Sequence, residues 1–415
     1  MRVLRTSSYC FPEIVASSHL EKDRYEAFSK AGIELVVHTP TPTRGIDEET
    51  YKKYKSIKYE ELYDGHVKIN RFSMFREGKN PLVRALRYGL VNLIQYRKCI
   101  KTPDVDVIYG GSTPPTQGVM CAMIKKKLSK KQKRKVCFVY NLQDIFPDSL
   151  VTTGLTKEGS LLYKMGRKME NYTYNNADKI IVISNSMKEN ILKKDVSRDK
   201  ILVVPNWIDT DAVKPVAKDE NKLYKEFGIA KDKFTVLYAG NFGAAQGADV
   251  VIKAAELLKD REDIQFVIFG GGSKFSAAKR EVEEKGLSNV FIHPLLPQER
   301  VPEVYSLGDV ALITCKKGVG NSGMPSKTWS IMATNTPIIA SFDTDSELSQ
   351  ILREANAGCT VPPEDPIALA GAIKEQAGKD GMSCGARAYA VENASKQVCV
   401  GKYVETLLKA GGKQT

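Results

Sequence analysis

Short runs of apolar and β-branched residues recur through the first half of the chain, at Ile33–His38, Val105–Tyr109, Val136–Tyr140, Lys179–Ser184 and Ile201–Val204, after an opening MRVLRTSSYCF of the same character. Helical spacing lies between them, as in His19–Lys30, Glu158–Tyr174 and Met187–Lys193. Continuous apolar strands separated by helices predict a parallel sheet covered on both faces. The pattern breaks at Pro205-Asn206-Trp207-Ile208-Asp209, and the polar stretch from Asp209 to Glu220, with Pro215 inside it, marks a domain boundary. Alternation then resumes with strands expected at Phe234–Ala239, Ile264–Phe269, Val290–His293, Val310–Thr314, Pro337–Ala340 and Gly358–Val361. Helices are expected near Ala248–Leu258, Lys274–Lys285, Gln298–Leu307 and Ser346–Ala355. The pattern predicts an α/β protein of two tandem, Rossmann-like, doubly wound parallel-sheet domains, 1–205 and 206–392. Their strands' carboxyl ends are expected to face each other across a cleft, where such sheets bind ligands. The segment 393–415 carries a last amphipathic helix, Ser395–Lys409, expected to pack back on the first domain.

A length of 415 residues suits two such domains. The net charge of +13 is unevenly divided. Residues 1–205 hold 37 Lys/Arg against 22 Asp/Glu, or +15; residues 206–415 hold the remaining 25 against 27, or −2. An anionic partner is therefore expected for the first half alone. The eight cysteines include no C-x-x-C pair and read as buried reduced thiols. The four histidines have no metal-ligand spacing. The start lacks the apolar core of a signal peptide, and no run of about 18 apolar residues occurs, so a cytoplasmic protein that spans no membrane is expected.

Glycine-rich turns follow two strands of the second half, in VLYAGNFGAAQG (Val236–Gly247) and VIFGGGS (Val267–Ser273). Small residues there let backbone N–H groups and a helix N-terminus approach a phosphate. One such loop does no more than tighten a strand-to-helix connection as often as it binds phosphate; two on adjacent strands favour binding. A literal G-x-G-x-x-G, Gly318 to Gly323, is displaced from its strand by Cys315-Lys316-Lys317 and reads as a loop leading into a helix at Pro325-Ser326-Lys327. Lys327 there is either a point charge for a diphosphate or a solvated surface lysine.

D-x-D occurs at Asp104/Asp106, Asp209/Asp211 and Asp343/Asp345. Such a pair can hold a divalent ion on a diphosphate, but these precede a strand, form the linker and make a turn, and no metal is expected at any of them. Asp144, in Tyr140-Asn-Leu-Gln143-Asp144-Ile-Phe-Pro147, is expected at a strand's carboxyl end, as a proton acceptor or as a turn or cap aspartate. Lys125–Lys135 holds eight basic residues in eleven, which reads as a solvated loop, a nucleic-acid contact or an anionic membrane contact. No aromatic platform accompanies it, which disfavours single-stranded nucleic acid. In Pro81–Lys101, Leu82, Val83, Leu86, Leu90, Leu93 and Ile94 fall at helical spacing with Arg84, Arg87, Arg97 and Lys98 interleaved. This is the pattern of a helix in a membrane interface or of one facing a core.

With these motifs in order, the chain resembles the family 4 retaining glycosyltransferases of the GT-B fold, and most of all the bacterial branch that builds capsule, O-antigen and related polysaccharides from amino-sugar donors. The stretches that carry the resemblance are Phe11-Pro-Glu13-Ile-Val-Ala-Ser17-Ser18, Gln143-Asp144-Ile-Phe-Pro, Ala177-Asp178-Lys-Ile-Ile-Val-Ile-Ser184, Val204-Pro-Asn206-Trp207-Ile-Asp209, Tyr238-Ala-Gly240-Asn241, Asn289-Val-Phe-Ile-His293, Pro325-Ser326-Lys327 and Gly358–Asp365. Many members place Arg and Lys in the first loop of the second domain, where this chain has Asn241 and Gln246. Many carry two glutamates whose positions fall here at Ser322 and Ser330. The amino-sugar branch has Pro-Ser-Lys, which implies that Lys327 supplies the missing charge.

The resemblance implies a UDP-sugar donor held by Gly240, Asn241, Gln246, Gly270, Gly271 and Gly272, with Ser326 and Lys327 on the diphosphate. The base is expected against Leu295 and Leu296, and Glu347 matches an acidic residue at the start of a helix. Asp144 and Glu13 are the acidic candidates of the first domain for catalysis, beside Lys327. The implied reaction retains configuration, uses no metal or other cofactor, and takes a polyprenyl-diphosphate-linked saccharide as acceptor at an anionic membrane face. An epimerase or hydrolase of the same fold would consume the UDP-sugar without acceptor. A basic nucleic-acid-binding protein would leave the second half's motifs without use, and no nucleic-acid partner is expected.

Overall fold

The computed structural model describes the chain apart from residues 15–17, 79, 153, 244, 321, 322, 380–383 and 413–415. It divides into two compact units, Met1–Pro205 with Cys399–Thr415, and Asn206–Val398. The helix Lys396–Ala410 is thus shared, and most of it belongs to the first unit. There Tyr403 is fully buried, donates a hydrogen bond to Asn141 Oδ1 at 3.0 Å and packs edge-on against Tyr109.

The first unit is an eight-stranded sheet. Its strands are β1 (Arg2–Thr6), β2 (Glu34–Pro40), β3 (Tyr59–Leu62), β4 (Val67–Phe72), β5 (Val107–Gly111), β6 (Cys137–Leu142), β7 (Lys179–Val182) and β8 (Ile201–Val203), in the order β3-β4-β2-β1-β5-β6-β7-β8. All pairs are parallel except β3 with β4. The β3–β4 hairpin lies outside the sequence expectation. Its edge strand, Tyr-Glu-Glu-Leu, buries none of its residues and therefore lacks the apolar run that marks the inner strands.

The second unit has six parallel strands, β9 (Phe234–Asn241), β10 (Ile264–Gly271), β11 (Val290–Pro294), β12 (Val310–Thr314), β13 (Ile338–Ser341) and β14 (Gly358–Val361), in the order β11-β10-β9-β12-β13-β14. Successive residues serve opposite cores. Leu237 and Ala239 pack with Val267 and Phe269 on one face, and Val236 and Tyr238 with Phe266 and Ile268 on the other. That two-sided burial accounts for the continuous apolar runs. Among the described residues no helix is long and apolar enough to cross a membrane. All eight cysteines are free thiols.

Candidate functional site

Parallel pairing of β9 with β10 brings the two glycine turns of the second unit side by side. In the β9–β10 register Gly240 pairs with Gly270 and Asn241 with Gly271, and on the far side Gly270 pairs with Pro294 of β11. The turns are tied by Phe242 N–H to Gly271 O at 2.6 Å, Lys274 N–H to Phe242 O at 2.9 Å and Leu295 N–H to Gly270 O at 3.0 Å. Tyr238, Phe242 and Phe275 stack edge-on beneath them. Gly270 is required by this packing, since a Cβ would lie 2.5 Å from the Phe275 ring and 2.9 Å from that of Phe242. At Gly272, φ is +98° and a Cβ would fall on the Asn241 amide. The side chains of Asn241 and Gln246 both close over Gly243. Leu295 is 51% exposed beside Gly271, and Leu296 packs partly into the core. His293, which the spacing of histidines did not flag, stacks on Phe227 at 4.4 Å; burial and nearby Lys279 lower its pKa, which favours the neutral ring.

The helices that follow these turns, Asp249–Leu257 and Phe275–Glu284, have no side-chain cap on their first N–H groups. By contrast, Ser346 caps Glu347–Glu354 and Asp365 caps Pro366–Ala377. The N-termini of these two helices thus have no capping side chain among the described residues, which is where an anion would be stabilised.

Lys327 opens the helix Lys327–Ala333 and reaches across to the same spot. Its Nζ donates to Ala239 O at 3.3 Å and lies 4.1 Å from the centroid of the Tyr238 ring. A Cβ on Gly240 would come within 3.1 Å of it. Tyr238 in turn donates its hydroxyl to Asn241 O at 3.1 Å. Among the described residues no carboxylate pairs with Lys327, and desolvation alone brings its pKa down to about 7. A cation held this way is stabilised by an arriving anion. Ser326 is exposed beside it, and its hydroxyl does not cap the helix. Glu347 begins its own helix behind the cap Ser346.

The glycine loop after β12 is held differently. Asp343 accepts from Gly318 N–H at 3.0 Å and Gly320 N–H at 2.8 Å, and Glu364 accepts from Lys317 N–H at 3.1 Å. The other D-x-D pairs also make structural contacts. Asp106 takes Arg2 N–H and Arg134, and Asp209 takes the N–H groups of Asp211 and Ala212. Ser322 lies outside the described residues.

In the first unit the two acidic candidates stand apart in character. Glu13 is buried and accepts three backbone N–H bonds, from Cys10 at 3.0 Å, Thr43 at 2.8 Å and Arg44 at 3.1 Å, so it clamps the loops after β1 and β2 together. Burial raises its pKa, and those amides oppose the rise. Asp144 is exposed in the loop after β6; partial desolvation raises its carboxyl and a hydrogen bond from Ser149 opposes this. A neighbouring cluster had no signature in the spacing of residues: Tyr9 donates to Glu77 at 2.8 Å and shares a bond with the Tyr88 hydroxyl at 2.8 Å. Arg87, expected among the interleaved surface charges, is instead fully buried, donating to Phe75 O at 3.1 Å and Thr43 Oγ1 at 3.3 Å, with Glu77 at 3.8 Å.

Two family models match the chain, Glycosyltransferase Family 4 over residues 23–212 and Glycosyl transferases group 1 over residues 219–397. It is 28% identical to a probable glycosyltransferase, WbjE, of Pseudomonas aeruginosa over 88% of this chain and 85% of that one. It is 26% identical to a putative colanic acid biosynthesis glycosyl transferase, WcaI, of Escherichia coli K12 over 70% of this chain and 71% of the relative. Among solved structures, the fold is shared with Anabaena Alr3699/HepE in complex with UDP, at TM-score 0.68 and 15% identity, covering 99% of this chain and 100% of that one.

Proposed function

Because the chain belongs to the family 4 glycosyltransferases and is built from two α/β units of the GT-B type, we propose that it moves an N-acetylated amino sugar from a UDP-sugar to a polyprenyl-diphosphate-linked saccharide, retaining configuration, in the assembly of a surface polysaccharide. It is a glycosyltransferase. The observation that carries it is Lys327, a desolvated lysine without a carboxylate partner among the described residues, seated beside Gly240. In this reading the diphosphate lies over the turns at Gly240–Gln246 and Gly270–Gly272, takes their backbone N–H groups, and meets the ammonium of Lys327. The base rests against Leu295 and Leu296, and Ser326 assists at the phosphates. Lys327 replaces the charge that Asn241 and Gln246 lack. Charge building on the departing diphosphate is stabilised by donors already in position, and a leaving phosphate oxygen takes the proton of the acceptor hydroxyl. The relatives' names, with colanic acid biosynthesis among them, and the UDP in the Anabaena protein support this reading.

The test is incubation with a panel of UDP-sugars and a lipid-linked saccharide, with and without EDTA, read by mass spectrometry. A product heavier by one N-acetylated sugar, unchanged by EDTA, is expected. Loss of the product with EDTA would overturn the metal-free step. UDP release without acceptor would point to a hydrolase or epimerase.

A further inference from the structure

The helix Pro81–Cys99 is packed inside out. Its buried line is Arg87, Val91, Gln95 and Cys99, all fully buried, and the two polar members are held by hydrogen bonds. Gln95 Nε2 donates to Ser7 O at 2.7 Å and to His38 O at 2.8 Å, and Arg87 makes the contacts given above. The outward line is Val83, Leu86, Leu90 and Leu93, each at least 36% exposed. A surface helix selected by water turns its aliphatic stripe inward and its arginine and glutamine outward. Here the stripe faces out, so water alone does not account for the outer surface.

The same inversion recurs further along the first unit. In Leu161–Asn176 the inner positions include Glu170, which is buried and bonded to Arg167, Lys194 and the Tyr174 hydroxyl. The outer face of its first turns exposes Leu161 at 77%, Leu162 at 50% and Met165 at 55%. A recess of about 510 Å³ beside them is lined by apolar Leu161 and Met165 and by basic Lys164, Arg167 and Lys168, with Glu158 at its edge. The helix Thr116–Gln132 joins the two: Gln117 donates to Asn92 and Gln95 of the first, and Gly118 seats against Thr173 of the second. It adds exposed Met123. Each of the three helices leaves the sheet at the carboxyl end of a parallel strand, so Leu86, Leu161, Leu162 and Met165 lie toward that end.

The charge on the three helices is overwhelmingly basic, and exposed Glu158, just before the third, is the acid at the recess. Pro81–Cys99 and Thr116–Gln132 contain no Asp or Glu, and the one acid of Leu161–Asn176 is the buried Glu170. Arg84, Arg97, Lys127, Lys130, Lys164 and Lys168 stand exposed among them. We propose that these three helices form one docking surface for an anionic phospholipid bilayer, with Leu161, Leu162 and Met165 inserted below the headgroups and the lysines and arginines at headgroup depth. The exposed leucines and methionine offer an aliphatic surface to the acyl boundary, and the predominantly basic rim complements lipid phosphate. The inference rests on the reading that the acceptor is carried by a lipid and names the surface that brings the enzyme to it.

Flotation of the full chain with phosphatidylcholine vesicles, with and without phosphatidylglycerol, tests it. Wild type is expected to float with the anionic vesicles, and salt to release it. The L161S/L162S/M165S variant is expected to bind them about tenfold more weakly, and K164E/K168E to lose the preference for phosphatidylglycerol. Both variants are expected to keep wild-type turnover on a short-chain, water-soluble acceptor, so failure of the docking surface and failure of the proposed reaction read out separately. Equal vesicle binding by wild type and the leucine–methionine variant would overturn the proposal. So would a wild-type dimer, seen by light scattering, that this variant converts to monomer without change in vesicle binding; the face would then be a contact between copies.

Discussion

The carboxyl edges of the two sheets are organised on opposite electrostatic plans. In the first unit, which holds the whole excess of positive charge, most charges near the strand ends are spent internally, with Asp144 exposed. Glu13 holds three amides, Arg87 and Glu77 share a buried cluster with Tyr9 and Tyr88, and Arg5 pairs with Glu21 at 3.0 Å. In the second unit the loop after β12 is likewise held by Asp343 and Glu364, but the turns after β9 and β10 carry backbone and Lys327, which no carboxylate pairs among the described residues. Net charge per domain is thus a poor guide to where an anion is bound. What matters is which cation is left uncompensated by its own fold.

Removing the lysine is expected to have the largest effect. Lys327→Met is expected to lower kcat/KM for the UDP-sugar by about 10²- to 10³-fold, the range for deleting one preorganised stabilising group. Without ligand it is expected to keep or raise Tm. The sign follows from linkage. The native pKa of about 7 lies below the ordinary lysine value of 10.5, so the unfolded chain binds more protons between these values. Wild-type stability therefore gains with rising pH across that window, and the variant loses that gain. Thermal melts at pH 7 and 9.5 check it.

The opposite response is expected in the first unit. Glu13→Ala removes three hydrogen bonds to a buried carboxylate and should cost about 3 kcal/mol, read by urea denaturation, with UDP affinity of the folded protein unchanged. If it kept full stability and lost turnover, Glu13 would belong to the chemistry and not to the loop clamp. Gly270→Ala drives a Cβ against Phe275 and Phe242 and should cost about 1–3 kcal/mol while weakening donor binding measured by calorimetry. The smallest effect is expected at Tyr238. Tyr238→Leu removes the ring under the ammonium, and donor KM should rise by about three- to tenfold. Tyr238→Phe, which keeps the ring and loses the hydroxyl with its bond to Asn241 O, should stay nearer wild type.

Much of the fold was legible because inner strands buried on both faces leave uninterrupted apolar runs. The β3–β4 hairpin was not, since its edge strand buries nothing. Periodicity located a helix in Pro81–Lys101 but not its orientation. Arg87 is drawn inward by Glu77, Thr43 and the Phe75 carbonyl, partners that only the folded chain brings together. The same holds at the site. The two glycine turns and Lys327 could be picked out from sequence, because each follows a strand or opens a helix. That Lys327 lies on Tyr238 against Gly240, and that Asp343 claims the amides of Gly318 and Gly320, depends on which strands are neighbours.

Protonation on binding tests the central claim most directly. A UDP-sugar has no phosphate group titrating near pH 8, where Lys327 is largely neutral in the free protein. Calorimetry in buffers of differing ionisation enthalpy should show uptake of nearly one proton as the diphosphate recharges the lysine, and none for Lys327→Met. Equal proton uptake by the two proteins would contradict the account.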